Sequence, residues 1–313
     1  MPRELWERPR IGVRGRLSRR ESARAWLLAV ACALAPALAA AGASATGADG
    51  VTVTLEQPAH RIIALSPALV EMTYVAGAGE RLVGAVAYSD YPPPAADLPR
   101  VGDAFRLDLE RLLSLKPDLV LAWQSGNPRA AVRRLRELDV PVLVTEVHEL
   151  DDVAEQLETL GRLAGTADTA HEAAADYRAR LDALRARYGG RDPVSVFYQV
   201  DDRPLYTVGG THIVSRAIAL CGGRNVFAGL DTLAPSVSEE AVLSADPEAI
   251  VAPVYEGGSN DLERWSKWPG MRAVARGNLF TVAADDLSRA TPRLADGVEK
   301  LCEALDTARD HRP

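Results

Sequence analysis

The stretch Leu109-Glu110-Arg111-Leu112-Leu113-Ser114-Leu115-Lys116-Pro117-Asp118-Leu119-Val120-Leu121-Ala122 decides the fold, because the chain carries it twice. The second copy is Glu239-Glu240-Ala241-Val242-Leu243-Ser244-Ala245-Asp246-Pro247-Glu248-Ala249-Ile250-Val251-Ala252. A glutamate, an apolar pair, a serine, a proline, an acid and an apolar run fall at matching offsets. Each copy reads as a short helix that proline cannot continue, followed by a buried strand, since an apolar run of four is strand-like. Two copies are too few for a solenoid and mark two similar lobes instead. Two α/β lobes leave a cleft between them, and a functional site is expected there.

Working outward, residues 59–165 form the first lobe. Strands are expected at 62–65, 82–86, 119–123 and 140–144. Helices are expected from Ser66-Pro67, which supply an N-cap and a first-turn proline, and at 109–115, 127–138 and 151–163. Strands alternating with helices demand parallel pairing through right-handed crossovers. Residues 168–188 read as one uninterrupted helix whose apolar stripe is Tyr177, Leu181, Leu184 and Tyr188, stopped by Gly189-Gly190. Its length of roughly 30 Å is about one domain diameter, so the segment 166–190 is a stiff connector. The second lobe, 191–309, repeats the programme. It has strands at 194–200, 205–208, 249–252 and 279–282, a Trp265/Trp268 segment over 262–271, and a closing helix at 293–309. The fold class is therefore α/β: two similar lobes with central parallel sheets, joined by one long connector helix, with a ligand cleft between them. Residues 46–58 and 310–313 read as loose ends.

The first 45 residues read as a signal peptide. Residues 1–24 carry eight arginines and three acids, 26–45 carry no charge, and Ala43-Ser44-Ala45 is a small-residue site with cleavage expected after Ala45. Its removal takes the net charge from −7 to −12, which argues against nucleic acid or an anionic membrane as partner. Cys32 leaves with the leader. Cys221 and Cys302 remain, an even number for an oxidising compartment. A disulfide between them is expected, with two buried thiols as the alternative; closing an 81-residue loop would stabilise the fold by about 4–5 kcal/mol.

Several further runs occur in a telling order: Leu65-Ser66-Pro67, Tyr88-Ser89-Asp90-Tyr91-Pro92-Pro93, Ala122-Trp123, Gly126-Asn127, Cys221-Gly222-Gly223 and Arg289-Ala290-Thr291-Pro292-Arg293. With the repeated unit, they resemble the periplasmic cobalamin-binding proteins of ABC importers. These belong to the helical-backbone (class III) substrate-binding proteins, which also serve haem and ferric siderophores. The resemblance spans roughly 59–306. It implies a corrinoid contact from Tyr88 in the first lobe and from the run Asp285, Asp286, Leu287, Ser288 and Arg289 in the second, with Trp123 as a cleft wall. It also implies that Glu110 and Glu240, one per lobe, dock on a dimeric inner-membrane permease. The chain departs from the pattern in its aromatics. Ala104 and Ala234 stand near positions where relatives carry tryptophan, and Asp286 and Leu287 stand where aromatics are common.

The expected function is thus capture of cobalamin or a related corrinoid in the periplasm by a monomeric receptor, and delivery to an ABC permease. The alternative is a haem or ferric-siderophore receptor of the same fold, with Tyr88 or His212 as candidate axial ligand. Cobalamin is then cargo, and no cofactor is expected. The five histidines share no metal-ligand spacing, so no metal site is expected. Catalysis is not expected either: no Gly-x-Ser-x-Gly elbow surrounds Ser288 and no histidine is placed beside it.

Overall fold

In the computed structural model, which describes residues 42–255 and 262–313, the duplicated unit becomes the same piece of structure twice. The signal-peptide reading of residues 1–41 lies outside the described residues. Ahead of the first lobe, β1 (Ala43–Thr46) and β2 (Thr52–Leu55) form an antiparallel hairpin. The hairpin is tied down where the Ala48 N–H donates to the Val144 carbonyl at 2.8 Å. The alternation Thr52-Val53-Thr54-Leu55 buries Val53 and Leu55, and Ala45 opposite Val53 is buried with them. This corrects the reading of 46–58 as loose chain. Ala43, Ser44 and Ala45, assigned to the leader, belong to this hairpin, and cleavage after Ala45 would divide β1.

The first lobe runs β3 (Ile62–Ala64), α1 (Pro67–Val75), β4 (Leu82–Ala85), α2 (Leu109–Ser114), β5 (Leu119–Trp123), α3 (Arg129–Glu137), β6 (Val142–Thr145) and α4 (Asp152–Ala164). Its four strands are all parallel, in the order β4-β3-β5-β6. The connector is α5 (Ala167–Tyr188). It packs on α1 and α4 of the first lobe and on the later helices of the second.

The second lobe contains β7 (Val194–Tyr198), a small hairpin of β8 (Asp201–Asp202) and β9 (Leu205–Tyr206), α6 (Ile213–Leu220) and β10 (Gly223–Asn225). It continues through α7 (Glu239–Ala245), β11 (Ala249–Val254), α8 (Arg272–Ala275), β12 (Leu279–Ala283), α9 (Ala284–Ser288) and α10 (Leu294–Asp310). The parallel order is β10-β7-β11-β12, the same 2-1-3-4 arrangement as in the first lobe. In each sheet the chain passes from the first strand to one side and then, from the second strand, back across it to the other. Each lobe therefore has a topological switch point between its first and third strands, where open α/β sheets bind ligands at the carboxyl ends.

The two copies of the repeat match down to their hydrogen bonds. Asp108 Oδ1 caps α2 by accepting from the Arg111 N–H at 2.9 Å, and Ser238 Oγ caps α7 by accepting from the Ala241 N–H at 3.2 Å. Lys116 (φ +48°) and Asp246 (φ +41°) turn the chain through the left-handed region just before each proline. The acid after the proline then staples the third strand to the first. Asp118 accepts from the His60 and Arg61 N–H groups at 2.8 Å each, and Glu248 accepts from the Ser195 N–H at 3.2 Å.

Strand alternation feeds both faces of each sheet. Ile62, Ala64, Leu119 and Leu121 join a core that continues through the connector into the second lobe, whereas Ile63, Leu65, Val120 and Ala122 pack under α2 and α3. In the second lobe Phe197, Ile250 and Ala252 pack against Trp265, whose indole N–H donates to Gln199 Oε1 at 2.7 Å. The Trp265/Trp268 segment contains a 3₁₀ turn (Glu263–Lys267) ahead of α8. One expectation shifts here: the 205–208 strand shrinks to β9, outside the parallel sheet. Cys221, at the end of α6, is disulfide-bonded to Cys302 in α10, with Cα atoms 4.7 Å apart.

Candidate functional site

A cavity of about 420 Å³ lies where the two switch points face each other. The first lobe contributes Ser66 and Pro67 at the start of α1, Trp123 at the end of β5, Glu146 and Val147 after β6, and Gln156 on α4. The second contributes Thr211, His212 and Ile213 at the start of α6, with Leu233, Ala234 and Ser288, Arg289 and Ala290. Among the residues expected from sequence, Trp123, Ser288 and Arg289 therefore share one cavity.

Trp123 is fixed on three sides. Its indole N–H donates to Glu146 Oε1 at 3.2 Å, and its backbone N–H donates to Asn127 Oδ1 at 2.6 Å. The Asn127 amide in turn donates to the carbonyls of Leu65 and Ala104, at 2.9 Å each, tying the ends of β3 and β5 to the loop before α2. The ring lies so close over Gly126 that a Cβ there would stand 1.9 Å from its Cε3. Thus the Gly126-Asn127 pair seen in the sequence exists to hold an aromatic wall, which needs no rotamer ordering when a ligand arrives.

Arg289 follows the single helical turn α9. The periodicity of that turn sorts the expected contacts. Asp285 lies four residues before Arg289 and meets its Nε at 3.0 Å. Asp286 faces the other way, bonding Lys300 at 2.7 Å, and Leu287 is fully buried in the core. The structure therefore turns Asp286 and Leu287 away from the cavity. From the opposite lobe, Asp90 Oδ1 accepts from Arg289 Nη1 at 3.3 Å. The Tyr88 loop thus reaches the second lobe, although Tyr88 itself does not line the cavity. Its backbone is left-handed (φ +64°) and its side chain is 80% exposed.

Phe105 and Tyr255 are likewise exposed, on segments that follow the carboxyl ends of β4 and β11. Partial burial, together with the charges of Asp201 and Asp285, pushes the Tyr255 hydroxyl above its ordinary pKa. Sequence reading missed Tyr255; an aromatic directly after the second copy's apolar run was the available signal. Ala234, where the resemblance leads one to expect a tryptophan nearby, lines the cavity beside Leu233.

Glu110 and Glu240 hold the same helical position, second after the caps of α2 and α7. Both are exposed, and neither has an ion pair among the described residues. Glu239, by contrast, is held by Arg264 and Lys267. The backbone N–H of Glu240 and the Ser238 hydroxyl hold the Glu240 carboxyl below its usual range. No cluster of His, Cys, Asp and Glu able to hold a metal occurs among the described residues. None of the described helices is long and apolar enough to cross a membrane. His212 caps α6, its Nδ1 accepting from the Val214 N–H at 3.2 Å, and burial pushes its pKa down to about 4.

Two lobes of one topology, joined by a single long helix and facing each other across a polar and aromatic cleft, define a two-lobed solute receptor. The chain belongs to the periplasmic binding protein family, whose model matches residues 62–285. It is 37% identical over 252 residues to the vitamin B12-binding protein of Vibrio cholerae, covering 80% of this chain and 91% of that one. A relative of the same name from Yersinia pestis is 34% identical over 249 residues, covering 80% and 87%. The crystal structure of the periplasmic vitamin B12 binding protein BtuF of Vibrio cholerae superposes with a TM-score of 0.75, covering 80% of this chain and 98% of that one. A periplasmic heme-binding protein, RhuT from Roseiflexus sp. RS-1, shares the fold at 24% identity and a TM-score of 0.69, covering 80% and 99%.

Proposed function

We propose that the protein captures cobalamin or a related corrinoid in the periplasm and delivers it to an inner-membrane ABC permease. The observation that carries this reading is the meeting of Trp123 from one lobe and Arg289 from the other on a single cleft. A corrinoid is a broad, flat, amide-rimmed ligand. A clamped indole offers it stacking area, while Arg289 and Asp285 offer a donor and an acceptor to peripheral amides. Exposed Tyr88, Phe105 and Tyr255 extend the aromatic surface beyond the cavity. The relatives named vitamin B12-binding proteins support the same ligand. Delivery follows from Glu110 and Glu240, matched acids on matched lobes that suit two matched basic patches on a dimeric permease.

The periplasm is reached through a leader that ends at or before residue 42 and so spares β1. An exported protein whose first residue is Thr46 would refute that boundary. The receptor acts as a monomer holding one ligand as cargo.

Calorimetric titration decides the ligand. Cyanocobalamin or dicyanocobinamide is expected to bind the wild type, and Arg289→Ala to weaken binding by about 1.5–3 kcal/mol, the contribution of a hydrogen bond to a charged group. Haemin bound in preference to either corrinoid would replace this reading with the haem receptor of the same fold.

A further inference from the structure

We propose that His212 is itself a ligand contact, a neutral imidazole that donates through Nε2 to a carbonyl oxygen on the ligand's rim and that is barred from acting as an axial metal ligand. The proposal rests on the corrinoid reading and deepens it. It starts from one hydrogen bond. The Val214 backbone N–H is a donor only, so the Nδ1 that accepts it at 3.2 Å carries a lone pair and no proton. In a neutral ring the single proton then sits on Nε2. The ring cannot reverse these roles cheaply: a proton on Nδ1 would face the Val214 N–H, leaving the first turn of α6 without its cap. Burial favours the neutral ring as well, pushing its pKa well below neutrality.

This fixed tautomer lines the same cavity as Trp123 and Arg289. Metal ligation by imidazole needs a free nitrogen lone pair, usually with the other nitrogen donating to a carbonyl or carboxylate. Here the assignment is inverted: the helix holds the lone pair and the cleft receives the N–H. Such a group discriminates by chemistry. It satisfies a carboxamide carbonyl, which a corrinoid rim supplies in number, and it offers nothing to the open axial position of a haem. Together with the Arg289 and Asp285 pair, the second lobe then presents a neutral donor, a charged donor and an acceptor.

The test separates donor from cap. In His212→Asn the Oδ1 can take the Val214 N–H as Nδ1 does, since asparagine is a favoured cap, but no N–H reaches where Nε2 stood. At pH 7.5, the dissociation constant for cyanocobalamin is expected to rise about tenfold, as for loss of one well-made hydrogen bond, with the melting temperature unchanged. In wild-type protein labelled with ¹⁵N-histidine, the Nε2 proton resonance should move on saturation with cyanocobalamin. Unchanged affinity in His212→Asn, with the wild type binding normally, overturns this proposal and leaves the corrinoid reading standing. A wild type that binds neither cyanocobalamin nor dicyanocobinamide overturns both. Haemin bound with a histidine-ligated Soret band that disappears in His212→Asn overturns the exclusion of metal ligation.

Discussion

Folding buries much of the His212 ring without giving its charged form a partner, and stability must therefore depend on acid. An unfolded histidine titrates near 6.5, whereas burial holds the folded one at about 4. Above the unfolded value both states are neutral and nothing is lost. As pH falls through this window the unfolded chain takes up a proton that the folded chain refuses. Stability then declines by up to about 1.4 kcal/mol per pH unit, at most about 3.5 kcal/mol in all. Asp49, Glu158, Glu239 and Glu248 are held below their ordinary values. Their contributions are lost only at more acidic pH. Urea unfolding between pH 7 and pH 5 should therefore show a slope in the wild type that flattens in His212→Asn; equal slopes would contradict a buried neutral ring. Other residue-scale features were closed to sequence reading. Arg289 meets Asp90 across 199 positions and Arg293 meets Glu71 across 222. Nothing local in the chain announces such a partner.

At the scale of elements, the duplicated helix–strand unit was legible because its signals are local: a capping residue, an acid in the first turn, a proline stop and an apolar run. Three elements were not legible, each for a stated reason. The strand β1 hides in the small apolar residues at the end of a leader-like stretch, and only its pairing with β2 reveals it. The single turn α9 is too short for periodicity to show, and its packing on α10 supports it. The Trp265 segment is held by Phe197 and Gln199 rather than by helix propensity. The same duplication places Glu110 and Glu240 alike, and the docking reading can be tested through that symmetry. Each exposed first-turn acid contributes only a few tenths of a kcal/mol to its helix, so Glu110→Ala and Glu240→Ala should leave melting temperature and cyanocobalamin affinity unchanged. Affinity for the detergent-solubilised permease should fall about tenfold in each. The losses should add in the double variant, because the sites lie on separate lobes. Unchanged permease affinity in the double variant would return both glutamates to a purely local role.

At the scale of the whole molecule the question is what fixes the distance between the lobes. The connector α5 packs on both, yet a single helix resists bending better than it resists twisting of the lobes about its length. A second tie joins the lobes through side chains. Arg293 Nε and Nη2 donate to Glu71 Oε1 and Oε2 at 2.9 and 2.6 Å, a bidentate pair from lobe to lobe. Glu71 is only 1% exposed, and the Arg293 guanidinium also stacks 4.1 Å over the Tyr91 ring. Arg216 with Glu149 at 2.9 Å and Arg289 with Asp90 add exposed ties across the same gap, but solvent-exposed pairs of this kind contribute under about 1 kcal/mol. The Glu71 end of the Arg293 pair is buried, whereas Arg293 is 24% exposed and keeps Asp286 at 3.6 Å when Glu71 is changed, so losing the pair costs about 1.5–3 kcal/mol, the contribution of hydrogen bonding to a charged group. Glu71→Gln should therefore lower unfolding free energy by that order, and Arg293→Lys should not be benign, because an ammonium cannot reproduce the two-point fork or the stacking. The functional consequence follows from geometry. Lobes free to rock present Trp123 and Arg289 at a variable separation, so the ordering cost reappears in binding, chiefly as faster dissociation. Stopped-flow release of cyanocobalamin should be several-fold faster in Glu71→Gln at a urea concentration where the variant remains folded. Wild-type release together with a wild-type unfolding midpoint would mean that the Glu71–Arg293 pair has no part in setting the gap.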